Sequence, residues 1–330
     1  MIIFEELPDL ASERLGGGVL LVNDEFFAPK EAMLKQAPAE WREHEYTERG
    51  KWMDGWETRR RRTSGHDWAI IRLGAPGVIR GVVIDTSFFR GNYPEEASIE
   101  VCSLKGTPTP EELQAAEWTE ILPRMQLQGD ARNRTAIDHP HRVTHLRLNI
   151  FPDGGVARLR VHGMPVPEWT RFALGGGEVD LAALKNGGWV VSSSDMFYGN
   201  RQNLILPGRS LFMGDGWETR RRRGPGHDWS IVQLAAPSML HRVEIDTDHF
   251  KGNVPDRFKL EGIHRPGGSG DILAERASAW VPLIGETRLQ PDASHVYEDL
   301  MPHQALTHVR LSIFPDGGVA RMRAFGTLPR

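Results

Sequence analysis

Polar and apolar residues alternate over short stretches along most of the chain. His145-Leu-Arg-Leu-Asn-Ile150 is the clearest case, and Arg257-Phe-Lys-Leu-Glu261 and His308-Val-Arg-Leu-Ser-Ile313 repeat it. A period of two is the mark of a strand with one face buried and one wet. Combined with apolar runs that end at Gly, Pro, Asn or Asp, the pattern predicts strands over residues 57–62, 68–73, 79–86, 97–104, 118–122, 144–151 and 157–162, with equivalents further on. Helical spacing is confined to 110–118 and 27–35. Many short strands and few helices predict an all-β fold, a jelly-roll-like sandwich rather than a parallel α/β sheet.

The pattern occurs twice. Asp54-Gly-Trp-Glu-Thr-Arg-Arg-Arg-Arg62 returns unchanged as Asp215-Gly-Trp-Glu-Thr-Arg-Arg-Arg-Arg223. Both copies run on to Gly-His-Asp-Trp, at 65–68 and 226–229, and Ile84-Asp-Thr86 is matched by Ile245-Asp-Thr247. Phe89, Gly91, Asn92 and Pro94 keep register with Phe250, Gly252, Asn253 and Pro255. Ile150-Phe-Pro-Asp-Gly-Gly-Val-Ala-Arg158 reappears over 313–321, and at the entrances Leu15-Gly-Gly-Gly18 pairs loosely with Leu174-Gly-Gly-Gly177. Self-similarity at this period points to an internal duplication, with domains expected at 1–167 and 168–330 and a boundary at the proline-rich turn ending in Pro167. About ten extra residues near 37–49 mark the first copy, and such differences belong in surface loops.

Composition narrows the setting. Hydrophobic residues at 39% and charged residues at 25% suit a chain folded throughout. Forty basic against 44 acidic residues leave a net charge of −4, which argues against nucleic acid as a partner. No apolar run is long enough to span a bilayer, and Cys102, the only cysteine, allows no intrachain disulfide. A cytoplasmic location with no membrane partner is the expectation, with Cys102 as a small buried residue.

The repeated block carries the chemistry. As a strand, 57–62 turns Glu57, Arg59 and Arg61 to one face and Thr58, Arg60 and Arg62 to the other. An arginine run often lies on a solvated face, but planar guanidinium groups also suit bidentate binding of a carboxylate. Glu57, His66 and Asp67, with Glu218, His227 and Asp228 in the second copy, are the acid–base candidates. Arg59, Arg61, Arg220 and Arg222 are the substrate clamps, with Trp68, Trp229, Asp153 and Asp316 as further binding candidates. Trp56 and Trp217 read as core, and Phe-Pro-Asp-Gly-Gly at 151–155 and 314–318 reads as a tight turn whose glycines adopt positive φ. One His-Asp pair per copy lacks the spacing of a zinc motif, so no ligand set is assigned; the candidate cofactor is a divalent cation, manganese before any thiolate metal.

These blocks resemble those of the allantoicase family over nearly the whole chain. The resemblance implies two jelly-roll domains of the galactose-binding-like kind, often in a homo-oligomer, and hydrolysis of allantoate to ureidoglycolate and urea in purine breakdown. Loss of urea from a carbon bearing two ureido groups needs an acid for the leaving nitrogen, a base for water and donors for the carbonyls. Two rivals stand beside that expectation: a non-catalytic carbohydrate- or anion-binding sandwich, and an enzyme cleaving ureidoglycolate.

Overall fold

The computed structural model describes residues 4–169, 177–267 and 279–327. The chain divides into two units, Met1–Pro167 and Glu168–Arg330, and all of the strand pairing among the described residues lies within one unit or the other. The architecture is all-β, two antiparallel jelly-roll-like sandwiches built on one plan.

In the first unit the 19-residue strand Asp67–Asp85 is the spine. Its first half pairs with Val143–Phe151 and Gly18–Val22, and its second half with Arg158–Pro165 and Arg132–Ala136. Glu96–Cys102 and Thr119–Gln126 extend the sheet beyond Val143–Phe151. Alternation gives each half a fully buried face: Ala69, Ile71, Leu146, Leu148 and Ile99 in the first, Val82, Ile84, Leu159 and Val161 in the second. In the second unit the equivalent path breaks at Met239 into Asp228–Ser238 and Leu240–Asp246, giving a five-stranded and a four-stranded sheet.

Several sequence expectations shift. The strands expected at 68–73 and 79–86 are one continuous strand, because the Gly74–Gly77 stretch bridges them without a break. The strand expected at 57–62 is reduced to Trp56–Glu57. Beyond it the amides leave the ladder for loop acceptors: Thr58 N donates to Gly154 O, Arg59 N to Asp24 Oδ1 and Arg61 N to Asp153 Oδ2. The helix expected at 27–35 is a 3-10 turn, Lys30–Leu34, while Pro110–Ala115 is α-helical behind a Thr109–Glu112 capping box. Trp118 belongs to neither element, and the strand after it is Thr119–Gln126. Gly18–Val22 and Arg132–Ala136 went unread, the latter because its charged, half-exposed residues carry no apolar alternation.

The entrance match also moves. Residues 174–176 lie outside the described residues, and the structural counterpart of Asp9-Leu-Ala11 is Asp180-Leu-Ala182. Leu10 N donates to Val161 O and Leu181 N to Ala324 O, each at 2.7 Å. The two 3-10 turns that follow end on glycines at φ 96° and 99°, Gly16 and Gly187.

Candidate active site

Each unit carries a two-stranded ribbon outside its main sheets. In the first, Trp56–Glu57 pairs with Gly155–Val156, opposing Glu57 to Gly155. Trp56 is wholly buried, and its indole N–H donates to the Asp24 carbonyl at 2.8 Å. This anchors the ribbon in the core, so the next residue, Glu57, turns the opposite way. Its carboxyl lines a cavity of about 340 Å³ whose apolar walls are Phe27, Trp41, Met53 and Phe88, with Asn92, Lys51 and Arg90 as its other polar residues.

Glu57 is only 9% exposed, and its Oε1 accepts a hydrogen bond from Asn92 Nδ2 at 2.7 Å. Burial pushes its carboxyl above the ordinary range, and the Asn92 hydrogen bond offsets this only in part. Such a group holds a proton to higher pH than a surface glutamate, which suits it to proton transfer.

Two cationic side chains of the cavity differ in freedom. Lys51 Nζ donates to the carbonyls of Arg42 and Glu43 and sits 4.8 and 4.9 Å from the Trp41 and Tyr46 rings. It is thus tied into its own insertion, the Tyr46–Thr47 and Gly50–Lys51 hairpin. Arg90 is solvent-exposed and reaches Asp130 at 3.1 Å, a pairing of the weak, exchangeable kind.

The other sequence candidates are gathered elsewhere. Arg61 pairs with buried Asp67 at 2.6 Å, and Asn23 Nδ2 donates to the same Asp67 oxygen at 2.8 Å. Arg59 pairs with Asp24 at 2.6 Å. Burial raises the Asp24 carboxyl, but the Arg59 and Phe26 amides and the Arg59 guanidinium outweigh it and hold it below the ordinary range. His66 lies against the Phe151 ring with centroids 4.6 Å apart, and its Nε2 donates to Asn149 Oδ1 at 3.3 Å. Asp153 accepts from Arg61 N at 2.8 Å and so shapes the turn. Trp68, half-buried, lies opposite Asn149 in the ladder, away from the Leu148 face. Among the described residues Glu57 makes no hydrogen bond to His66 or Asp67, and each of the three has its own partner.

The second unit repeats the frame with altered walls. Trp217–Glu218 pairs with Gly318–Val319, Trp217 donates to the Asp195 carbonyl at 2.9 Å, and Asn253 Nδ2 donates to Glu218 Oε1. Arg222 pairs with Asp228, Arg222 N donates to Asp316 at 2.8 Å, and Arg220 N donates to Asp195 at 2.7 Å. His227 lies against Phe314; burial first, then Lys259, Arg310 and Arg222, keep its ring neutral to lower pH. Trp229 is half-buried like Trp68. The hairpin insertion has no counterpart, since Gly199 and Asp215 stand much closer in sequence than Ala28 and Asp54.

Sequence reasoning missed the roles of Asn92 and Asp24. Asn92 stood out only as a point of register between the copies, and nothing local tells that its amide meets Glu57, 35 residues earlier. The His66–Asp67 pair does not fit a metal centre: Asp67 is engaged with Arg61 and Asn23, and His66 with Asn149. Among the described residues no group of three or more His, Cys, Asp or Glu side chains gathers to hold an ion.

Duplicated all-β, jelly-roll-like sandwiches, each presenting a buried glutamate on a short ribbon, define the class of the molecule. Comparison with known proteins narrows it. Residues 8–166 and 179–329 each match the Allantoicase repeat. A probable allantoicase 1 of Burkholderia mallei is 49% identical over 327 residues, 98% of this chain and 95% of that protein. A probable allantoicase of Ralstonia nicotianae is 48% identical, covering 97% and 95%. The crystal structure of allantoicase from Saccharomyces cerevisiae superimposes with a TM-score of 0.78 at 35% identity, over 98% of this chain and 93% of that one. The chain belongs to the allantoicase family.

Proposed function

We propose that the cavity around Glu57 is where this chain hydrolyses allantoate to ureidoglycolate and urea, with Glu57 as the acid. As a member of the allantoicase family the chain is a hydrolase acting on allantoate. The observation that carries the placement is a buried carboxyl, raised above its ordinary pKa and facing an apolar-walled cavity.

The step balances on one carboxyl group. Protonated Glu57 gives its proton to the departing ureido nitrogen as the bond from that nitrogen to the central carbon breaks, and the bonding pair leaves with urea. The lone pair of the remaining ureido nitrogen steadies the electron-poor carbon. Water adds to that carbon, and its proton returns to the Glu57 carboxylate. Arg90 is the guanidinium we assign to the substrate carboxylate, because Arg59 and Arg61 are paired with Asp24 and Asp67. No step is routed through a metal. A homo-oligomer in the cytoplasm fits the reading, the single cysteine suiting a reducing compartment.

The test is urea release from allantoate by the purified protein, run with chelator and with manganese added back, alongside Glu57→Gln. The wild type is expected to release urea and ureidoglycolate in the chelator lane too, and Glu57→Gln to lose at least about a hundredfold in kcat. Undiminished turnover by Glu57→Gln would remove Glu57 from the chemistry. Activity that vanishes with chelator and returns with manganese would refute the metal-free scheme.

A further inference from the structure

The 151–155 loop contributes nothing to the cavity lining, yet it holds two polar groups that do. Gly155 is the ladder partner of Glu57, and its N–H donates to the carbonyl of Asn92 at 2.7 Å. One residue thus sets the position of the Asn92 backbone against that of Glu57. The fit leaves no room for a side chain: a Cβ on Gly155 would lie 1.9 Å from Cε1 of the fully buried Phe89. Gly154, at φ 141°, would bring a Cβ within 2.6 Å of the Pro94 nitrogen and 2.9 Å of the Asn92 carbonyl oxygen.

The second unit keeps this device. Gly318 opposes Glu218, donates to the Asn253 carbonyl at 2.9 Å, and would place a Cβ 1.8 Å from Phe250. Around it the walls have drifted: Tyr198 stands for Phe27, Gly214 for Met53 and His249 for Phe88. Glutamate, asparagine and glycine persist while their surroundings change, so the contact between the two side chains is independent of the particular wall.

We infer that Asn92 is a positioning residue for Glu57, its amide donating to Oε1 so that the transferable proton is carried by Oε2. A carboxyl oxygen that accepts an N–H must offer a lone pair, and the proton is then better accommodated on the other oxygen. The same hydrogen bond favours the ionised form, so Asn92 also sets the pH at which the acid is spent. This rests on the reading of Glu57 as the acid.

The experiment compares wild type, Asn92→Leu and Asn92→Ser. Two readouts are taken: the pH profile of kcat for urea release from allantoate, and the 13C titration of the Glu57 side-chain carboxyl in glutamate-labelled protein, assigned by its loss in Glu57→Gln. For Asn92→Leu the Glu57 titration is expected to move up by about one unit, with the alkaline limb of kcat moving alike, KM little changed, and kcat falling about tenfold or more below both limbs. Asn92→Ser, whose hydroxyl can donate, should recover part of both shifts; it also serves as the variant to measure if the leucine protein does not fold. A Glu57 titration that superimposes on wild type in the folded variants would overturn the inference. If the wild type released no urea, the proposed activity would fail, while the carboxyl titration would still decide whether Asn92 governs Glu57.

Discussion

His308 is buried in the second unit, 2% exposed, and its hydrogen bonding fixes its tautomer. The Thr307 hydroxyl donates to the Ile263 carbonyl and accepts from Arg265 N, so Nδ1 of His308 donates to it at 2.9 Å. Nε2 is left with a bare lone pair and no partner among the described residues. Burial accordingly lowers its pKa to about 4. Because the unfolded chain takes up this proton near pH 6.5 and the folded chain only near 4, stability falls as pH drops through that window. His308→Phe should flatten the decline in Tm between pH 7 and pH 5; equal slopes for both proteins would contradict the assignment. At this scale the chemistry was unevenly legible. Glu57 could be chosen from the repeated block, but Asn92 could not, because a contact across 35 residues is set by a loop that no local pattern encodes.

At the scale of elements, the two strongest sequence blocks turn out to be joined to each other. Asp54 opens the Asp-Gly-Trp-Glu block and Arg158 closes the Gly-Gly-Val-Ala-Arg block, and they form a buried ion pair at 2.5 Å. Arg321 and Asp215 repeat it at 2.9 Å. Burial raises the Asp54 carboxyl, but Arg158, Lys35 and the Glu40 amide overcome that and hold it below the ordinary range. Its stabilising contribution is therefore present at neutral pH and is lost as pH falls through the lowered value. Asp54→Ala should cost about 3–5 kcal/mol in denaturant unfolding at pH 7, since it strands a buried guanidinium; a loss below about 1 kcal/mol would show the pair to be dispensable. Short strands such as Val143–Phe151 were legible because one face is apolar and the other polar. The arginine run was misread as a strand for a physical reason: carboxylates of Asp24 and Asp153 capture its amides from distant loops, and alternation says nothing about them.

Across the whole molecule the duplication was plain in the sequence, while the divergence of its two halves was not. The hairpin insertion supplies Trp41 and Lys51 to the first cavity, and at the matching place the second unit exposes Leu211, Phe212 and Met213. Equal motifs thus do not make equal surroundings. Glu57→Gln and Glu218→Gln should therefore affect turnover unequally, the former more; identical losses would mean that the drifted walls are functionally neutral.

Each unit also fastens its beginning to its end. Leu10 bonds to Val161 and Leu181 to Ala324, so within either half a segment near its start closes onto its last strand. The order in which a gene spells the halves is then a historical accident as far as either ladder is concerned. A circular permutant opened after Pro167, with a flexible linker from residue 330 back to residue 1, would leave every strand pairing among the described residues unbroken, so neither ladder depends on which half is spelled first.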